Sequence, residues 1–127
     1  MHPQDIAVLK ALVVVAWSDG NFADVEGQAI DGLLAAHDAN EAEKAEIHGF
    51  AKEPRTLADI SLQEISAADR RVLLQHAVLV TYADKEPSPT QIAFLSKLAE
   101  HVKIPAEEAH AVIATARERV QKLLHLL

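Results

Sequence analysis

Residues 6–17 form an apolar run broken only by Lys10, and residues 72–82 form a second, interrupted by Gln75 and His76. A helix that is apolar nearly all the way round is buried on most sides. Both runs are therefore expected as helices at the centre of a bundle. Pro3 suits the first turn of the first helix, which opens at Pro3 or Gln4 and reaches Ser18, and Asp5 favours the positive pole of its dipole. The second run belongs to a long helix over residues 67–83.

Around these two, the other helices are amphipathic. Gly20 ends the first helix in the manner of a C-terminal glycine. The next begins at residues 22–24 and presents Val25, Ala29, Ile30, Leu33 and Leu34 on one face. Asn40 with Glu43 has the spacing of a capping box for a third helix reaching about Lys52, where Pro54 stops it. Ser61 with Glu64 and Ser66 with Asp69 are two further caps, which predict a short helical turn over 58–64 ahead of the long helix. Ser88 caps a helix with Pro89 in its first position, reaching about Val102 with Ile92, Leu95 and Leu98 as its stripe. Pro105 opens the last helix, with Glu107 and Glu108 in its first turn, and that helix runs on to the last residue. The expectation is an all-α, single-domain bundle over residues 1–127, with about seven helices in two pseudo-symmetric halves and a buried central helix in each. Neither half can bury its apolar face alone.

Composition agrees with this class. Half of the 127 residues are hydrophobic but only 4% are aromatic, which favours close-packed helices over a sandwich of short strands. The net charge of −7 argues against sequence-independent nucleic-acid binding, which needs clustered Lys and Arg. The basic features, Arg70-Arg71 and the set Arg117, Arg119 and Lys122, sit in mixed helix faces. An acidic balance suits cations, basic partner surfaces or solubility. The absence of Cys excludes disulfides and thiolate chemistry. The first apolar run has no basic segment before it and is too short to span a bilayer, so a cytoplasmic protein without membrane insertion is expected.

Two stretches repeat one another. Ala16-Trp17-Ser18-Asp19-Gly20-Asn21-Phe22-Ala23-Asp24-Val25-Glu26 and Thr81-Tyr82-Ala83-Asp84-Lys85-Glu86-Pro87-Ser88-Pro89-Thr90-Gln91 stand at a constant spacing of 65 residues. In each, an Asp follows an aromatic by two, at the expected end of a buried helix. A carboxylate there faces the negative pole of the helix dipole, which costs a few tenths to about 1 kcal/mol. Its double occurrence points to a demand other than helix stability.

The pattern Asp-Gly-x-Phe-x-x-x-Glu from Asp19 to Glu26, preceded by Ala16 and Trp17, resembles the signature turn of the tellurite-resistance TerB-like family. The second turn through Gln91 is similar to the paired copy in those proteins. So is Leu98-Ala99-Glu100-His101-Val102-Lys103-Ile104-Pro105, and the resemblance covers residues 6–116. Similar half-motifs occur in the N-terminal domain of some membrane-anchored J-domain co-chaperones. The resemblance implies an all-helical domain of two pseudo-symmetric halves. It also implies a surface cluster of acidic residues that takes metal ions or protein partners in bacterial resistance to tellurite and other stresses, with no established enzymatic reaction. In the second copy the glycine is replaced by Lys85 and the final Glu by Gln91, which weakens a site needing both acids. Glu86 stands ready to substitute, and Lys85 to neutralise Asp84.

As chemistry, Asp19, Glu26, Asp84 and Glu86 are the candidate ligands for a divalent cation, Ca²⁺ or Mg²⁺, both of which prefer hard oxygen donors. Asn21, Asp24 and Gln91 are candidates for contact with a protein partner. The arrangement is not an EF-hand: counted from Asp19, the fifth position is Ala23 and the twelfth Ile30. The competing reading makes Asp19 and Asp84 acceptors in Asx-type turns, and Asp24 and Glu26 ordinary acids at a helix N-terminus. Trp17 and Tyr82 then serve as core aromatics beside the turns. A second competing reading is a metal-free adaptor using its helical faces, the apolar residues 123–127 among them.

The seven His carry little metal chemistry. Glu107-x-x-His110 matches half of a di-iron helix pair and occurs once, and no His-x-x-x-His pair exists. His37, His48, His101 and His125 fall at helix ends or on exposed faces. His76, inside an apolar run, is expected as a hydrogen-bonded core residue. No phosphate loop or nucleophile elbow is present, so the reading is non-enzymatic.

Overall fold

The structure, a computed structural model, describes residues 3–18, 20, 24–82 and 88–126, the side chains of 25 and 123–126 excepted. Among the described residues are six α-helices: α1 (Pro3–Ala16), α2 (Asp24–Ala36), α3 (Glu41–Ala51), α4 (Ala67–Thr81), α5 (Pro89–His101) and α6 (Ala106–Leu126). No strand occurs among them.

The count of seven is corrected at the connector. The helical turn expected over 58–64 is instead two 3₁₀ turns, Leu57–Asp59 and Leu62–Glu64. Each ends in an isoleucine in extended conformation, Ile60 and Ile65, and both isoleucines are buried. Five residues along an α-helix turn through about 140° relative to one another, so one helix could not aim both side chains at the core. Breaking the segment after each turn buries both. The Asp59 carboxylate accepts from the Thr56 N–H at 2.8 Å and holds the first turn.

α1 and α4 form the centre. Every residue of α1 from Ala7 to Ala16 is buried except Lys10, and Leu73, Leu74, Ala77, Val78 and Val80 of α4 join the same core. α1 packs against α2, α3, α4, α5 and the connector, while α4 packs against α1, α2, α5 and α6. The starts of the two central helices are tied together, because the backbone N–H of Ser66 donates to Gln4 Oε1 at 3.3 Å.

Local chemistry explains the helix ends. Asn40 and Glu43 form the expected capping box, with bonds of 2.8 and 2.9 Å. The Ser66 hydroxyl accepts from the Asp69 N–H. α2 and α5 close alike. The Ala39 N–H reaches the Leu34 carbonyl at 3.0 Å and the Ile104 N–H the Ala99 carbonyl at 2.9 Å. The residues before them, Asp38 and Lys103, take φ of 59° and 61°. These are Schellman closures with a left-handed residue that is not glycine.

Arg70 fastens the connector to the second group of helices. Its guanidinium donates to the carbonyls of Leu62 (2.8 Å), Ile65 (3.0 Å) and Val102 (3.4 Å). Arg71 makes a two-pronged pair with Glu108, joining the start of α4 to the start of α6. That guanidinium holds the Glu108 carboxyl below the usual carboxylate range. The Arg70-Arg71 doublet is thereby spent inside the fold and is not a free basic patch.

Candidate functional site

The first turn leaves α1 through Trp17 and Ser18, whose backbone N–H groups still bond to carbonyls of the last helical turn, from 3.0 to 3.2 Å. Gly20 follows with φ of +80°, a conformation that costs a residue with a Cβ, and its N–H donates to the Trp17 carbonyl at 2.9 Å. The Trp17 indole N–H donates to the Ala51 carbonyl at 3.1 Å and pins the end of α3 beside this turn. Trp17 is therefore a packing residue with a fixed polar contact.

α2 then begins at Asp24, which is exposed. Glu26, in the third helical position, is only 3% exposed. It is the one buried carboxylate among the described residues, where the buried polar side chains are Glu26 and Thr81. A buried carboxylate is costly unless its charge is met, and the first turn of a helix, with its outward N–H groups, is the backbone setting that meets it best.

The second turn begins where α4 ends. The Tyr82 N–H donates to the Val78 carbonyl at 3.0 Å, and its ring is buried. On the far side, Ser88 and Gln91 form a reciprocal capping box: the Ser88 N–H donates to Gln91 Oε1 at 2.9 Å, and the Gln91 N–H to the Ser88 hydroxyl at 3.2 Å. Gln91 is thus engaged in starting α5. Asp19, Asn21, Asp84 and Glu86 lie outside the described residues. Of the seven candidate residues, Glu26, Asp24 and Gln91 are placed, each in the first turn of a helix. Among the described residues no three His, Asp or Glu side chains gather as a metal centre would require.

With this geometry in view, the chain was compared with known proteins. No family model, curated protein or solved structure matches it.

The histidines take surface positions. His48 Nε2 lies 2.7 Å from Asp31 Oδ1 in an exposed pair. His110 and Glu107 are exposed on α6. His76 departs from its expected place in the core: it is half-buried on the wall of a groove between α4 and α6. Burial, and secondarily the nearby His37, lowers its pKa from the ordinary 6.5. This groove, about 330 Å³ and lined in part by Leu79, Thr115 and Arg119, was not singled out from the sequence. The signal that would have found it is a residue-by-residue comparison at the 65-residue spacing, which sets Thr115 against Phe50. No helix among the described residues is long and apolar enough to cross a membrane.

Proposed function

We propose that the chain is a non-enzymatic TerB-like module built from two pseudo-symmetric halves. Its two inter-helix turns form one acidic end that takes a divalent cation, Ca²⁺ or Mg²⁺, or a basic protein partner in a tellurite or stress-response assembly. The observation that carries this reading is the agreement of the helix ends at one spacing. Asp24 and Pro89 open α2 and α5, Ala36 and His101 close them, and Glu41 and Ala106 open α3 and α6. Ala16 and Thr81 close the central helices, and Asp38 and Lys103 are the left-handed residues. Every pair is separated by 65 residues, the spacing of the two acidic turns.

The bond between Gln4 and Ser66 supports placing both turns at the same end. It sets the starts of α1 and α4 side by side, and the helices are 14 and 15 residues long. Two Asp side chains brought together at the negative poles of two helices repel one another, and a counter-ion or a cationic partner relieves that repulsion. Glu26, buried at the start of α2, adds a carboxylate at the margin of the same end.

A calcium titration of the isotope-labelled chain followed by NMR tests the cation arm. Saturable movement of the Gly20, Asn21 and Lys85 amides is expected, and its loss in the double variant Asp19→Asn with Asp84→Asn. Unmoved amides at millimolar ion would end the cation arm. A second reading, a metal-free adaptor with structural turn carboxylates, is favoured by the capping role of Gln91. It expects the double variant to change stability while ions have no effect on either protein.

A further inference from the structure

The groove between α4 and α6 is open because one side chain is missing from it. Its floor includes Leu79 and Val112, and its rims carry Gln75 and His76 on α4 and Thr115 and Arg119 on α6. Sixty-five residues earlier, the corresponding place between α1 and α3 is closed by Phe50. That ring packs against the core, with the Arg55 guanidinium 4.0 Å and the Lys10 ammonium 5.7 Å from its centre. The Arg55 Nε–H also donates to the Phe50 carbonyl at 2.9 Å, and Lys10 pairs with Glu46 at 2.8 Å. In the second half Thr115 stands for Phe50, Gln75 for Lys10 and Val120 for Arg55. The plug and both of its cationic clamps are replaced together.

Two further features describe what fits there. Val72 precedes Gln75 and His76 by one helical turn on the same face of α4, and it is one of two exposed large hydrophobic side chains among the described residues, at 38%. The groove's edge therefore continues as an apolar strip. On α6 the matching edge runs Thr115, Arg119 and Lys122, at spacings that share a face, and no carboxylate lines the groove. This is a basic rim on a chain of net charge −7.

We propose that the α4/α6 groove docks an acidic amphipathic helix of another protein, which inserts an aromatic side chain into the space that Phe50 fills in the first half. The mode is a helix laid into a groove, with the buried ring supplying affinity and the charged rim selecting the partner. A second copy of this chain is a poorer occupant. Its Phe50 and Phe94 pack against its own core, Tyr82 is buried, and Trp17 is tied to Ala51. No aromatic among the described residues is thus left to insert. The inference uses the 65-residue correspondence but not the acidic turns, so the calcium experiment and this one fail separately.

The test titrates the labelled full chain with a synthetic amphipathic helix bearing one Phe in a Leu stripe with Glu flanks, and with its twin carrying Lys for Glu. The acidic peptide is expected to move the Gln75, Leu79, Thr115 and Arg119 amides saturably. Thr115→Phe, which installs the first half's own plug, is expected to weaken it about tenfold or more, as is the exposed change Arg119→Glu, with the melting transition reporting that each variant is folded. Amides that stay still, equal binding of both peptides, or binding that survives both variants would each overturn the proposal. So would concentration-dependent dimerisation abolished by Thr115→Phe, which would give the groove to a second copy.

Discussion

The helices α1–α3 and α4–α6 share their ends at one spacing and yet present opposite surfaces. Residues 1–65 hold twelve Asp and Glu against four Lys and Arg, whereas residues 66–127 hold seven against eight. Almost all of the net charge of −7 therefore lies in the first half. In that half the groove beside the central helix is closed by Phe50 and its two cations; in the second it is open and edged by Arg119. Packing of the central helices tolerates little change, while the outer faces are free to diverge because solvent accepts either sign of charge. The second half is where a partner finds an unfilled apolar surface, and the first half shows what filling it looks like.

The largest effect expected from breaking this comparison lies in the shared core. Leu9 and Leu74 occupy corresponding positions in α1 and α4 and are both buried, at 2% and 0% exposure. Leu9→Ala and Leu74→Ala should each destabilise the protein by about 3–5 kcal/mol, since each deletes buried carbon and leaves a cavity that close-packed neighbours refill incompletely. Urea unfolding of the two variants checks this. A cost under about 1 kcal/mol at either site would remove that helix from the common core.

How far the fold was legible in the sequence follows from which interactions are local. The starts of α3, α4 and α5 were readable because Asn40 with Glu43, Ser66 with Asp69, and Ser88 with Gln91 act within a single turn. The central helices were readable because an all-round apolar run has one stable place. The connector was not, since its form is set by two isoleucines reaching a core built from distant residues. The groove was invisible for the same reason: Thr115 is unremarkable until α6 is set against α4 as α3 is set against α1. Of the candidate site, the sequence named acids at helix starts, and the structure adds that Glu26 is buried and that Gln91 is engaged with Ser88.

A smaller and opposite effect is expected at the two left-handed residues. Asp38 and Lys103 have nearly equal φ, but an Asp tolerates this region better than a Lys because its short side chain can bond locally. Left-handed conformation costs an ordinary residue roughly 1–2 kcal/mol, and glycine avoids it at an entropic cost of about 0.5–1 kcal/mol. Lys103→Gly should therefore stabilise the protein by about 0.5–1 kcal/mol, and Asp38→Gly by less. Melting curves would show the first variant raised by about 2–4 °C. An unchanged or lowered transition for Lys103→Gly would mean that its side chain makes a compensating contact.

The shallowest difference between the halves is one of pH. Position 11 in α1 is Ala, with nothing to titrate, while the corresponding residue of α4 is His76. Burial in the groove wall, and then the proximity of His37, lowers the His76 pKa below its ordinary 6.5. The unfolded chain therefore takes up this proton first as pH falls, and in that window it binds more protons than the folded protein. Stability rises with pH wherever that holds. The contribution of neutral His76 is thus complete above about pH 6.5 and is lost as pH falls from there through the folded pKa. Gln75 and Arg119 share the groove and do not titrate in this range. Denaturant midpoints measured between pH 5 and 7.5 should fall with acidity in the native protein, and less steeply in His76→Gln. Identical slopes would place the loss elsewhere, among the exposed histidines. A docked helix that covers His76 would steepen the dependence, because it withdraws the imidazole further from water and makes its protonation costlier still.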